Sequence, residues 1–199
     1  PKLRVSVSTT NNEGEQFFLC SLFHYKENFE MLFKPTFVFN TVTEITSAFL
    51  KQNGIKGLIL DLDNTLTTHN NPKPPKYIIA WINAMKSADI PLVIVSNNKY
   101  DRVRPFAQML QLPFISDGAK PLTKGIDEAR KAMHLSKNEV AIVGDQIFTD
   151  MLGANIKRMP TIYVYPIELE DGLFFRFKRV LETPFLPRKH DFKSRRKKV

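Results

Sequence analysis

Short apolar runs alternate along the chain with segments whose apolar residues recur at helical spacing. Three runs are continuous, namely Leu58–Leu60, Leu92–Val95 and Val140–Val143. Continuous runs of this length are typical of strands that are buried on both faces. Two further short strands are predicted at Phe114–Ile115 and Ile162–Val164.

Helices are predicted between these strands, because apolar residues there lie three or four positions apart. Alternating strands and helices predict an α/β fold, a Rossmann-like parallel sheet with helices on both faces. Right-handed crossovers then place the carboxyl ends of all the strands at one edge. Pro105 is tolerated in its helix only in the first turn. The predicted helical segments are residues 41–52, residues 76–85 behind Pro74 and Pro75, residues 101–110, residues 126–133 and residues 147–156.

Each continuous strand runs into residues that can do chemistry, at the edge where parallel sheets bind ligands. Acidic, hydroxyl and amine side chains can therefore converge there. Asp61, Asp63 and Thr65 follow the first strand, Ser96 and Asn97 follow the second, Asp145 and Asp150 follow the third, and Lys120 precedes a helix between the last two.

Carboxylates that lie a few ångströms apart repel one another, and a bound cation removes the conflict. Mg²⁺ prefers octahedral oxygen ligands and commonly takes one or two carboxylates together with substrate phosphate. We expect the side chains of Asp61 and Asp145 to hold Mg²⁺, with the backbone carbonyl of Asp63 as a third protein ligand.

The same residues predict phosphoryl transfer. Asp61 can attack phosphorus and form an acyl phosphate. Asp63 can protonate the leaving oxygen and later deprotonate the attacking water. Lys120 and the metal would balance charge on the phosphate oxygens, and Ser96 with nearby backbone N–H groups would orient them.

The runs DLDNTLT, VSNN and GDQIFTD, with the Lys120-Pro121 pair between the last two, resemble the four motifs of haloacid dehalogenase (HAD) superfamily phosphatases. More narrowly, residues 32–167 resemble the subfamily IIIA group called YqeG-type, which is similar to mitochondrial phosphatidylglycerophosphate phosphatases. The resemblance implies that Asp61 is the nucleophile and Asp63 the acid/base. It further implies that Ser96 and Lys120 bind phosphate, with Asn97 as an added candidate, that Thr65 supports the loop, that Asp145 is a metal ligand, and that Asp150 orients the metal site.

The spacing of the motifs leaves no room for a cap domain. Only 32 residues separate Asp63 from Ser96, and 22 separate Asn97 from Lys120. A helix with its flanking loop or short strand uses most of each interval. The sequence therefore predicts an uncapped HAD-type core whose site is open to bulky substrates.

Other interpretations of these residues are weaker. A calcium loop counted from Asp61 would need Gly and an acid where Leu66 and Pro72 stand. No Gly-rich nucleotide-binding motif is present. Near the site, Asn98, Lys99 and His69 are as simply interpreted as solvated loop residues.

Charge and composition add a basic C-terminus to this picture. The net charge is +9, and residues 172–199 hold ten Lys or Arg against two acids. We divide the chain into an N-terminal extension (1–30), a HAD-like phosphatase domain (31–170) and a basic aromatic C-terminal segment (171–199). One cysteine excludes an internal disulfide, and the absence of a signal or spanning segment favours a cytoplasmic protein.

Three functional hypotheses remain open. The first is hydrolysis of phosphatidylglycerophosphate at a membrane, with peripheral contact to anionic phospholipid. The second is a soluble phosphoester or phosphoprotein substrate. The third is an RNA- or ribosome-associated factor that uses the basic tail. Residues 173–181 accordingly either pack as a terminal helix or bind the membrane interface, and the oligomeric state is left open.

Overall fold

The computed structural model describes residues 29, 31–168 and 180–186. Two units are distinguished along the chain, Pro1–Met31 and Leu32–Val199. The strands, helices and site residues described below all belong to the second. Apart from Phe29, the predicted extension over residues 1–30 lies outside the described residues, as do residues 169–179 and the tail from 187 onward.

A six-stranded parallel sheet forms the centre of the second unit. Its strand order is β1-β6-β5-β2-β3-β4, so β2 lies in the interior between β5 and β3. Because every pair is parallel, the carboxyl ends of all the strands lie at one edge. The strands are β1 (Phe37–Phe39), β2 (Gly57–Leu60), β3 (Leu92–Val95), β4 (Phe114–Ile115), β5 (Val140–Gly144) and β6 (Thr161–Val164).

Between Phe37 and Val164, where every residue is described, five α-helices connect the strands. They are α1 (Ser47–Gln52), α2 (Lys76–Ser87), α3 (Tyr100–Leu110), α4 (Lys124–Ala132) and α5 (Leu152–Ile156). Between β2 and β3 there are only α2 and its two flanking loops, and between β3 and β4 only α3 and its loops. The prediction of an uncapped core is therefore confirmed.

Helices cover both faces of the sheet, as the continuous apolar strands predicted. Leu58 and Leu60 of β2 pack in a core cluster with Ile82 of α2 and Phe106 of α3. Ile59, which points to the other face, packs in a second cluster with residues of α4 and α5. The alternation of side chains along a strand explains why one apolar run supplies both cores. The fold is the predicted Rossmann-like α/β fold.

The predicted helix over residues 41–52 is wrong in its first half. Val42–Glu44 form a 3₁₀ turn, and α1 begins only at Ser47. The cause is Thr46, which is extended and whose hydroxyl accepts a hydrogen bond from the Phe49 backbone N–H at 3.1 Å. Such an N-cap starts a new helix and satisfies one of its first free N–H groups.

Two details of the other helices also differ from prediction. Residues Ile147–Met151 form a π-helix before α5 continues as an α-helix. Pro105 is the sixth residue of α3 and not in its first turn. Proline there removes a single backbone hydrogen bond near the start of the helix, at an exposed position where water can solvate the freed carbonyl.

Residues 180–186 pack against other parts of the second unit. The Glu182 carboxylate is fully buried and accepts a hydrogen bond from the Ile147 backbone N–H at 2.9 Å. The Phe185 ring lies 4.9 Å from that of Phe33. Within the described ranges, no helix has the length and apolar character needed to cross a membrane.

Candidate active site

The loop after β2 carries the first two aspartates. Asp61 still belongs to the sheet, since its backbone N–H donates to the Val143 carbonyl at 2.9 Å. The chain then turns at Asn64, whose φ of 62° is left-handed, and the Asn64 N–H donates to the Thr67 carbonyl at 2.6 Å. Asn tolerates this conformation better than most residues. The turn keeps both Asp61 and Asp63 at the carboxyl edge of β2.

Lys120 joins Asp61 to Asp150 inside the protein. Its Nζ lies 2.5 Å from Asp61 Oδ1 and 2.7 Å from Asp150 Oδ1. Burial alone would lower the pKa of Lys120, but the carboxylates of Asp150 and Asp61 outweigh it and raise the pKa above its ordinary value. Lys120 is therefore a permanent cation in the centre of the site.

Burial acts on Asp61 in the opposite sense. It raises the pKa of Asp61 from 3.8 to about 6, Lys120 opposes the rise, and the charge of Asp150 adds to it. Without a further cation, the ionised form of Asp61 is thus costly in this cluster.

Asn97 fixes the position of Lys120. Its side-chain Nδ2 donates to the Lys120 carbonyl at 2.9 Å, and its Oδ1 accepts from the Lys120 backbone N–H at 2.7 Å. This pair of hydrogen bonds couples the end of β3 to the loop after β4. The side chain thus positions the lysine, and the predicted contact of Asn97 with phosphate stays a prediction.

Three carboxylates come together beside Lys120. Oxygen atoms of Asp61, Asp145 and Asp150 all lie within 4.8 Å of one another. Thr65 supports the cluster, because its hydroxyl donates to Asp145 Oδ1 at 3.5 Å. Hard oxygen donors in such a group suit Mg²⁺. Among the described residues, the side chain of Asp63 is not part of this cluster, so its predicted ligand atom would be the backbone carbonyl.

Gly144 makes room for the cluster at the end of β5. A Cβ atom at this position would lie 2.3 Å from Asp150 Oδ2. Any larger residue would therefore displace the carboxylate that bonds to Lys120. The wide π turn at Ile147–Met151 brings Asp150 back toward the sheet, where its Oδ2 accepts from the Gln146 N–H at 3.2 Å.

Asp63 faces a different set of partners. Arg102 Nη2 donates to Asp63 Oδ1 at 2.7 Å, and Asn98 Nδ2 donates to Asp63 Oδ2. His69 Nδ1 lies 3.7 Å from Asp63 Oδ1, and its side chain is about half exposed (45%). Sequence reasoning missed Arg102 and treated Asn98 and His69 as loop residues. The one available signal was the position of Arg102 in the first turn of the helix after the VSNN run.

These residues surround a cavity of about 140 Å³ at the carboxyl edge of the sheet. Ser96 is buried beside it and accepts a hydrogen bond on Oγ from the Asn98 N–H at 3.1 Å. The structure thus brings all eight predicted site residues into one region. The cavity lining includes Asp61, Asp63, His69, Ser96, Asn97, Asn98, Lys120, Gln146 and Thr149.

The parallel sheet and the order of these side chains along it define the class of protein as a HAD-type phosphatase. A family model described as "Mitochondrial PGP phosphatase" matches residues 21–105. The chain is 38% identical over 154 residues to "Probable phosphatase YqeG" of Bacillus subtilis (strain 168), a match that covers 77% of this chain and 90% of the relative. The chain belongs to the YqeG-type phosphatases of the HAD superfamily, which makes it a phosphoric monoester hydrolase.

Two solved structures are similar to parts of this chain. One, of an uncharacterized protein from Listeria monocytogenes serotype 4b, is 17% identical with a TM-score of 0.48, and the match covers 60% of this chain and 84% of that chain. The other, from Legionella pneumophila, is described as a HAD superfamily (subfamily III A) hydrolase. It is 19% identical with a TM-score of 0.39, over 49% of this chain and 59% of that chain.

Proposed function

We propose that the protein is a Mg²⁺-dependent phosphomonoesterase that forms an aspartyl-phosphate on Asp61, with phosphatidylglycerophosphate at a membrane surface as its substrate. The observation that carries the chemistry is the buried contact of Asp61 with Lys120, beside Asp145 and Asp150, in a cavity that Asp63 also lines. The lipid substrate is supported by the family model that matches residues 21–105 and by the open, uncapped site.

Each side chain has a role that follows from its position. Lys120 contacts Oδ1 of Asp61, which leaves Oδ2 for attack on phosphorus. The Lys120 ammonium and the Ser96 hydroxyl bind oxygens of the phosphoryl group. Asp63 gives a proton to the leaving oxygen and later takes one from the water that hydrolyses the acyl phosphate.

The acidic cluster fits the metal that this chemistry uses. Asp61 and Asp145 would hold Mg²⁺ with the backbone carbonyl of Asp63, and Asp150 would orient the site from the same cluster. When bound, the ion neutralises phosphate charge and lowers the repulsion between the carboxylates.

Metal binding should depend on pH, because a proton competes for Asp61. The pKa of metal-free Asp61 is about 6, so the side chain is ionised at pH 7.5 and mostly protonated at pH 5. Mg²⁺ must then displace a proton, and the apparent affinity should fall by about tenfold for each pH unit below about 6. Calorimetric titration of the metal-free protein with Mg²⁺ at pH 5, 6 and 7.5 measures this dependence. Equal affinity at all three values would contradict it.

The substrate is tested by phosphate release in Mg²⁺ buffer. The panel contains phosphatidylglycerophosphate in anionic vesicles, water-soluble phosphomonoesters and a phosphopeptide. Turnover that is fastest on the lipid supports the whole proposal. If only the soluble esters react, the lipid substrate is wrong and the phosphatase remains. Salt-dependent RNA binding without any phosphate release would instead favour the third hypothesis.

A further inference from the structure

Arg102 reaches from the first turn of α3 to the loop that carries Asp63. One nitrogen, Nη2, donates to Asp63 Oδ1 at 2.7 Å and lies 3.3 Å from the carbonyl oxygens of both Thr68 and Asn71. The guanidinium carbon also lies 5.9 Å from the centre of the Phe106 ring on the same helix. The four motifs give this arginine no role.

The Asp63 carboxylate is held on both of its oxygens. Arg102 donates to Oδ1 and Asn98 Nδ2 donates to Oδ2. Its side chain is only 7% exposed although it lines the cavity, and that of Arg102 is 23% exposed. The carboxylate is thus fixed by residues of α3 and of the loop before it, and not by its own loop alone.

Position matters for this carboxylate because proton transfer needs the acid within hydrogen-bond reach of the leaving oxygen. A misplacement of about 1 Å can cost about 10²-fold in rate. A planar guanidinium suits the task, since it stays charged and its Nη2 reaches the Asp63 carboxylate and two carbonyls of the same loop at once.

We propose that Arg102 is a positioning residue that holds the Asp63 carboxylate within hydrogen-bond reach of the leaving oxygen and links it to the backbone of the loop at residues 68–71. The assignment rests on the proposed function. The charged guanidinium of Arg102 bonds to Oδ1, whereas the neutral amide of Asn98 takes one of the two lone pairs of Oδ2. The transferred proton is therefore carried on the second lone pair of Oδ2. It passes to the ester oxygen as the P–O bond breaks, that oxygen keeps the electron pair, and the alcohol leaves. Asp63 Oδ2 later takes a proton from the water whose oxygen attacks the phosphorus of the acyl phosphate. The bond between phosphorus and the Asp61 oxygen breaks, Asp61 keeps the electron pair as its carboxylate, and inorganic phosphate leaves.

The test compares two leaving groups in Mg²⁺ buffer. An alkyl phosphate such as glycerol phosphate needs a proton on its leaving oxygen, whereas p-nitrophenolate leaves without one. Arg102→Gln should lower kcat/KM for the alkyl ester by about 30-fold or more, and kcat/KM for p-nitrophenyl phosphate by less than about threefold. This ratio reports phosphoryl transfer to Asp61 and excludes the later hydrolysis of the acyl phosphate, which is common to both esters. Asp63→Asn should show the same pattern more strongly.

Arg104→Gln is the matched control on the same helix. Arg104 is exposed. Its guanidinium carbon lies 5.5 Å from the centre of the Tyr100 ring and not beside Asp63. The Arg104→Gln variant should leave the ratio of the kcat/KM values for the two esters unchanged. Arg102→Lys keeps the positive charge but loses the planar guanidinium. The ratio for the two esters should therefore fall between that of the wild type and that of Arg102→Gln. Arg102→Lys also replaces Arg102→Gln in the comparison if that variant does not fold.

A parallel loss on both esters, or no loss on either, would overturn the assignment, because a merely structural role does not distinguish leaving groups. The wild type separates this failure from that of the proposed function. If the wild type hydrolyses neither ester nor the lipid, the proposed function fails. If it is active and the ratio does not move in the variants, only the role of Arg102 is wrong.

Discussion

Asp61→Asn is expected to lower phosphate release by about 10⁴-fold or more, because an amide cannot serve as the nucleophile. The substitution nearly preserves shape, and it removes one charge from a cluster in which ionisation of Asp61 is already disfavoured. Lys120 keeps its contact with Asp150 at 2.7 Å. The melting temperature of the metal-free variant should therefore be no lower than that of the wild type.

The measurement combines kinetics with detection of the intermediate. Wild-type protein quenched during turnover should carry one phosphoryl group on the peptide that contains Asp61, in a form sensitive to hydroxylamine, and Asp61→Asn should carry none. Asp101→Asn makes the same chemical change at an exposed acid on α3 and should keep wild-type turnover. Near-wild-type phosphate release by Asp61→Asn would sink the aspartyl-phosphate mechanism.

Lys120→Met is expected to damage both activity and stability. The ammonium is buried and contacts Asp61 and Asp150 at 2.5 and 2.7 Å. Removing one partner from a buried ion cluster costs about 3–5 kcal/mol. The free energy of unfolding of the metal-free variant should fall by about that amount. Loss of one donor to the phosphoryl group should lower kcat by about 10²–10³-fold.

Magnesium separates the two effects of Lys120→Met. A divalent cation in the acidic cluster can replace part of the missing positive charge, so saturating Mg²⁺ should restore much of the stability but little of the activity. Denaturation curves recorded in EDTA and in Mg²⁺ measure the stability, and kcat measures the activity. Lys124→Met at the exposed start of α4 is the control and should change neither. Equal unfolding curves for Lys120→Met and wild type in EDTA would show that the acidic cluster does not need the positive charge of Lys120.

The prediction of the fold succeeded where a strand is buried on both faces. In β2, β3 and β5 all positions are buried, and a continuous apolar run is a strong signal for that environment. It failed at β1, which was not predicted. β1 is an edge strand of three half-buried residues, Phe37–Phe39, and its pairing with β6 joins segments that are distant in sequence. A run this short has no period of its own.

The sequence predicted where the candidate site residues lie when they are attached to strand ends. Asp61, Ser96 and Asp145 directly follow β2, β3 and β5, so sheet topology alone brings them to one edge. The prediction failed for residues whose partners depend on how a helix or loop is oriented. The contact of Arg102 with Asp63 spans 39 positions, and that of Asn97 with Lys120 spans 23. No local pattern encodes either.

The amino-acid sequence by itself determined the parallel α/β fold and the positions of Asp61 and Asp145 at strand ends, because hydrophobic periodicity and residues at strand ends are local properties of the chain. Only the tertiary structure decided which side chains form ion pairs and hydrogen bonds, and in which direction their pKa values shift. Packing raises the pKa of Asp61 and brings Lys120 into contact with both Asp61 and Asp150. It also places Arg102 and Asn98 where they donate hydrogen bonds to Asp63. Burial and distance set these interactions, and both exist only once the chain has folded.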